Sequence, residues 1–127
     1  MTAGEALARR ALAALESVAG LNGRYSSSPV QASFPYATVE TSPESDWSHK
    51  SGTGREVRLA VTLRDRGEQP GRLRRLLEEA EAAIATIGGA EDGWRIVTLA
   101  FVRSRVVPAG DRSWLASLDY RARMLAE

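Results

Sequence analysis

The spacing of apolar residues changes several times along the chain, and each change predicts an element. Leu7, Ala11, Ala14, Leu15 and Val18 recur at intervals of three and four, with Glu5, Arg9 and Glu16 off that stripe, which predicts an amphipathic helix. Thr2 followed by Glu5 has the form of a capping box, in which hydroxyl and carboxylate each accept a backbone N–H, so the helix starts there. Gly20 and Gly23 end it. Residues 22–35 are polar, Ser-rich and broken by two prolines, and read as a surface connection. Aromatic and β-branched side chains at 36–41, between Pro35 and Pro43, predict a short strand suited to a sheet edge. The next segment, SPESDWSHKSGTG at 42–54, has loop composition throughout. At about a dozen residues it is long for a link between neighbouring strands, and such loops are usually functional or disordered.

The clearest strand follows. Val57, Leu59, Val61 and Leu63 alternate with Glu56, Arg58, Thr62 and Arg64, the period of two that a half-buried strand requires. Pro70 suits the first position of a second helix, and Leu73, Leu76, Leu77, Ala80, Ala83, Ile84 and Ile87 continue it at helical spacing to a stop at Gly88 and Gly89. Two long extended segments, 94–107 and 112–124, are joined by the turn-forming PAGD at 108–111 and predict a hairpin. The order α-β-β-α-β-β over a single domain, 1–127, predicts an α+β fold: a mainly antiparallel sheet of about four strands with two helices packed on it.

The faces of that sheet carry information. In the first hairpin strand strict alternation puts Ile96, Ala100 and Val102 on one side and Val97, Leu99 and Phe101 on the other, so neither side suits water. Either one helix covers each face, or both share a face and the other meets a further protein surface. Length adds a constraint: strands of about 40 Å exceed the roughly 36 Å breadth of a domain this size, so the hairpin bends, ends early or protrudes.

Composition narrows the function classes. The 127 residues are 43% apolar and 26% charged, contain no cysteine and carry a formal charge of +1. A disulfide scaffold is excluded, and no overall field draws the chain to DNA or an anionic membrane. Apolar runs are short, and the start, MTAGEALARRALAALE, has charges where a signal peptide needs an apolar core, so neither export by that route nor membrane spanning is expected. His49 is the only histidine and lies in the long loop, and Asp46, Asp65, Asp92, Asp111 and Asp119 are scattered singly, so no zinc site or histidine-based triad is expected. SGTG at 51–54 lacks the GxxxxGK[ST] pattern and precedes a strand, which argues against phosphate cradling. Glu78, Glu79 and Glu81 are placed on the polar side of the second helix to pair with Arg74 and Arg75. Arg103, Arg105, Arg112, Arg121 and Arg123 all fall on the hairpin, where guanidinium forks suit carboxylates at an interface and also phosphates.

Read in order, FPYATVE at 34–40, DWSHKSGTGREVRLAVTLRDR at 46–66, the helix with LRRLLEEAEAAI, and WRIVTLAFVRSRVVPAGDRSWLASLDYRARM at 94–124 resemble the tail-completion or tail-terminator proteins of long-tailed phages and related gene transfer agents. The resemblance spans nearly the whole chain and rests on order and spacing: Pro35-Tyr36, the stretch 47–56 ending in Gly-Arg-Glu, and Arg112, Trp114, Leu118, Tyr120 and Arg121 in the closing strand. The polar RYSSSPVQAS departs from it, standing where a short β-like run is expected. The resemblance implies a non-catalytic structural protein with no cofactor and no metal. It implies a homo-hexameric ring that caps the tail tube, ends polymerisation and presents a head–tail joining surface. The implied partners are other copies of the chain, the tail tube protein and a head–tail connector or stopper; no membrane or sequence-specific nucleic acid is involved. The implied place is the tail or neck of the particle, assembled in the bacterial cytoplasm. The rival readings are a neighbouring neck protein and, from another class, a small dimeric α+β barrel that binds a ligand or acts as an enzyme.

Within that picture the sheet and hairpin are expected to carry subunit contacts, with Val97, Leu99, Phe101, Trp114 and Leu118 as apolar candidates and Arg103, Arg121 and Arg123 as polar ones. The loop 42–54 is expected to be mobile in the free subunit and ordered in the assembly, with Trp47 as aromatic anchor and Lys50 and Arg55 at its rim.

Overall fold

A computed structural model describes residues 1–127. Helix α1 (Ala3–Leu15) starts at the expected capping box: the Glu5 N–H donates to Thr2 Oγ1 at 3.0 Å and the Thr2 N–H to Glu5 Oε1 at 3.4 Å. At its other end Arg24 donates to the carbonyls of Leu15 (2.6 Å) and Val18 (2.5 Å), which also accept the Val18 and Leu21 N–H groups, placing a cation at the negative end of the helix. That contact anchors β1 (Arg24–Tyr25), a two-residue strand parallel to β2 (Tyr36–Glu40). The expected connection at 22–35 therefore contains one short strand.

The segment 42–54 is also structured. Its first residues form β3 (Glu44–Asp46), antiparallel to β4 (Gly54–Arg66), and residues 49 and 52 bridge across a turn. Glu44 reaches back to accept the Gly4 N–H at 3.0 Å, adding a carboxylate to the positive end of α1. Gly4 is required there: a Cβ would stand 2.6 Å from that carboxylate and 2.9 Å from the Thr41 carbonyl.

Helix α2 (Gly71–Ile84) begins one residue later than expected, with Pro70 as its N-cap and no side-chain cap. Its anchor is Asp65, at the end of β4, which accepts both Arg72 Nε (2.8 Å) and a terminal nitrogen of the same guanidinium (2.5 Å), and also the Arg66 N–H at 2.8 Å. After α2 come β5 (Gly89–Glu91), β6 (Trp94–Pro108) and β7 (Ser113–Ala126). The seven-stranded sheet has the order β1-β2-β4-β7-β6-β5, with β3 also on β4, and every pairing except β1 with β2 is antiparallel. The expected count of about four strands missed β1, β3 and β5, each too short to show a period.

Both helices lie on one face. Val57, Leu59, Val61 and Leu63 of β4 and Ala116, Leu118, Tyr120, Ala122 and Met124 of β7 are buried beneath Leu7, Ala11 and Leu15 of α1 and Leu73, Leu76 and Ile84 of α2. The opposite face is open. In β6 two bulges, with Val97 and Val102 as the extra residues, break strict alternation. Ile96, Leu99 and Phe101 therefore face the helices together, and Ala100 lies opposite them, which corrects the grouping expected for this strand. Nor does the hairpin project as a free arm: β4 accompanies β7 from Gly54 to Arg66, so only the turn and the outer edge of β6 are left unpaired.

Leu118 has no exposed surface and packs wholly within the subunit, which assigns it to the core and removes it from the interface candidates. Leu118→Ala should therefore cost about 2–5 kcal/mol in denaturant unfolding of the isolated chain. The Asp65 clamp predicts a pH effect. Burial alone raises the carboxyl, but hydrogen bonds from Arg72 and the Arg66 N–H, together with the Arg72 charge, outweigh it and hold Asp65 below its ordinary value of 3.8. A lowered carboxyl contributes stability above that ordinary value and loses it as pH falls through the lower folded value. Asp65→Asn should cost about 1–3 kcal/mol near neutral pH and flatten the acid limb of a stability–pH curve.

Candidate assembly interface

The register that buries one face of the sheet sorts the arginines onto the other. Arg58, Arg64 and Arg66 of β4, Arg121 and Arg123 of β7, and Arg95, Arg103 and Arg105 of β6 all lie opposite the helix-covered side. Only Glu40, Glu56 and Asp119 oppose them among the strand residues of this face. A chain with a net charge of only +1 thus carries a strongly cationic sheet face. Some of these groups are held internally: Arg103 donates to Asp119 at 2.8 Å, and Arg121 and Arg123 approach Glu56 at 3.7 and 3.2 Å. Arg66 meets Asp111 at 2.7 Å, and Arg95 meets Glu127 at 3.7 Å. Arg58, Arg64 and Arg105 form no ion pair. Ion pairs at this exposure contribute about 0–1 kcal/mol each, so the face gains little from staying free in solution.

A hollow of about 380 Å³ opens on this face, with Ala60 in it and Pro43, Arg58, Val102, Arg103 and Asp119 around it. Val97 and Val102 are 42% and 46% exposed. Arginine interleaved with small apolar groups is the composition of protein interfaces, where lysine is depleted, and Lys50 is the chain's one lysine. Trp47 lies on the same side, with the Arg123 guanidinium 5.5 Å from its ring centroid and the His49 ring 4.5 Å away edge-on. Lys50 sits exposed in the adjoining turn, and Arg55 is turned to Asp46 at 3.5 Å.

The remaining candidates lie on the helix side. Leu99 is half-buried against the core, and the half-buried Trp114 donates its indole N–H to the Gly67 carbonyl at 2.9 Å. Phe101 is different: 48% exposed, it stands edge-on to Tyr120 at 5.7 Å beyond the cover of α2. The expected residues therefore form two surfaces on opposite sides of the sheet. The pattern Glu56, Arg58, Thr62, Arg64 already marked one face of β4 as polar, and that signal could have added Arg58 and Arg64 to the candidates.

Helix α2 has an unusual charge order. Arg72, Arg74 and Arg75 crowd its positive end, while Glu78, Glu79 and Glu81 lie towards its negative end, and no basic residue occupies the last turn. This order opposes the helix dipole. The expected pairing with Arg74 and Arg75 does not form: none of the chain's ion pairs involves these glutamates. Glu78, Glu81, Ala82 and Ala85 form an exposed stripe at helical spacing.

Compared with known proteins, the chain matches the family model described as tail completion protein gp17 over residues 6–125. No curated protein sequence matches it. Among solved structures it is similar to a chain in one described as the virion of native gene transfer agent (GTA) particle, with TM-score 0.64 and 21% identity, covering 96% of this chain and 93% of that chain. At that identity the likeness establishes the fold.

Tyr120, beneath Phe101, supplies a test of this region. Burial, aided by the negative charge of Glu81, raises its hydroxyl to about 12, and its buried oxygen has no hydrogen-bond partner. The folded chain keeps this proton to higher pH than the unfolded chain does, so stability should fall as pH rises from about 10 to about 12. Tyr120→Phe should remove that alkaline loss and leave the isolated subunit as stable at neutral pH, or more stable by up to about 1 kcal/mol.

Proposed function

This chain belongs to the tail completion protein gp17 family, and from that premise we propose that it acts as the tail terminator, forming a six-fold ring on the end of the tail tube. Family membership makes it a structural, non-enzymatic component of a phage-type tail. In the finer reading the ring stops further addition of tube subunits and offers its free rim to a head–tail connector or stopper. Its partners are then copies of itself, the tube protein and that connector. Its place is the tail or neck of a phage or gene transfer agent particle, assembled in the bacterial cytoplasm.

The observation that carries this reading is the family match across residues 6–125, which takes in both helices, the hairpin and the segment at 42–54. The two exposed surfaces support it physically. A ring needs two different surfaces that meet head to tail, and this subunit has a cationic sheet face on one side and an acidic helix stripe with Phe101 on the other. Trp47, Lys50, Val97, Arg103, Arg121 and Arg123 are the contact candidates of the first side and its rim, and Phe101 and Arg55, which the register turns to the helix side opposite Met124, are those of the second.

Deleting the gene in the producing bacterium should give tubes of uncontrolled length and heads without tails, and supplying the chain in trans should restore joined particles, both counted by electron microscopy. Tails of normal length joined to heads in the deletion strain would refute the terminator role.

A further inference from the structure

The outer edge of β6 pairs with β5 only from Trp94 to Ile96 and has no strand partner beyond. It is a poor template for strand addition, because bulges at Val97 and Val102 kink it and Arg103 and Arg105 guard it. The hollow beside Tyr25, Phe34 and Tyr36 is open, and nothing near it specifies an occupant. Two other surfaces match each other.

On one, the unpaired Arg58 stands beside the hollow containing Ala60, with Val102 at its border. On the other, Glu78 and Glu81 flank the small Ala82 and Ala85 on α2, with no cation of their own. The two surfaces lie on opposite sides of the sheet, so one subunit cannot bring them together, whereas two copies can. Phe101 adds an apolar group to the helix side, and Val97 and Val102 add apolar groups to the sheet side, so each surface has both charge and an apolar contact to offer. The charge order of α2, unfavourable within the helix, is favourable against an arginine face.

Resting on the ring reading above, we propose that the Glu78–Ala85 stripe of α2 in one subunit seats on the open sheet face of a second copy, with Glu78 and Glu81 facing Arg58 and Arg105 and the two exposed alanines over the hollow. The contact is heterologous and repeats from copy to copy. Acidic and cationic patches are both consumed in it, which leaves the rims for the tube and the connector.

The absence of cysteine makes a direct test possible. Full-length Ala82→Cys and Ala60→Cys chains are treated with a short bis-maleimide, alone and mixed, with rings followed by native mass spectrometry in solution or on purified particles. Cross-linked dimer should form in the mixture and not from either chain alone. Arg58→Glu with Arg105→Glu in the Ala60→Cys chain should lower its yield at least about tenfold, and Glu78→Arg with Glu81→Arg in the Ala82→Cys chain should restore it. Rings without the mixed cross-link, or a yield indifferent to the charge reversals, would overturn this contact and leave the ring reading standing. Salt-sensitive capture of duplex DNA by the wild-type chain, lost in the Arg58→Glu, Arg105→Glu variant and unaccompanied by the cross-link, would also overturn it and assign the face to phosphates. The absence of rings both in solution and on particles would refute the ring reading itself.

Discussion

The uninterrupted pairing of β4 with β7, from Gly54 opposite Leu125 to Arg66 opposite Ser113, is the constraint on which the rest of the subunit depends. Because side chains in a strand alternate, this register assigns every residue of both strands to one of two faces at once. A slip by one position would bring the arginines beneath the helices and put Leu59, Val61 and Leu118 into water, which is why one register prevails. The buried face supplies the hydrophobic stabilisation, and the open face inherits the charge.

The helices hold that arrangement from one side. Thr2, Glu5 and Glu44 satisfy the start of α1, and Arg24 satisfies its end. Helix α2 has no side-chain cap, so the Asp65–Arg72 clamp positions its first turn against the end of β4. Its later turns pack on the core through Ala80, Ala83 and Ile84, while Glu78, Glu79 and Glu81 on their outer side form no ion pair within the subunit. The bulges of β6 act on the other border: they reset the alternation so that Ile96, Leu99 and Phe101 align with the core side while the strand bends with the sheet.

A structural protein of a tail works through surfaces, and its physics differs from that of a pocket enzyme. What matters is that both sides of one sheet carry chemistry of opposite character and that a rigid ladder keeps them at a fixed angle. Arginine suits such a face because its planar group binds carboxylates in two places and sheds water more readily than lysine. The small residues among the arginines, Ala60 and Ala100 on the sheet and Ala82 and Ala85 on α2, leave room for another backbone to approach.

The sequence by itself determined the elements long enough to show a period: both helices, the alternation of β4, the capping box at Thr2 and the hairpin at 94–124. It also determined the family, since the resemblance drawn from the order of segments agrees with the match over residues 6–125. Only the tertiary structure decided what depends on neighbours far away in the chain. Strands β1, β3 and β5 have two or three residues each and exist because β2, β4 and β6 offer them partners. The placement of both helices on one face, the two bulges in β6, and the division of Leu118 and Leu99 from Arg103, Arg121 and Arg123 follow from how the sheet packs as a whole. A local pattern records whether a residue alternates with its neighbours, but which side of the sheet the helices cover is a property of the assembled layers.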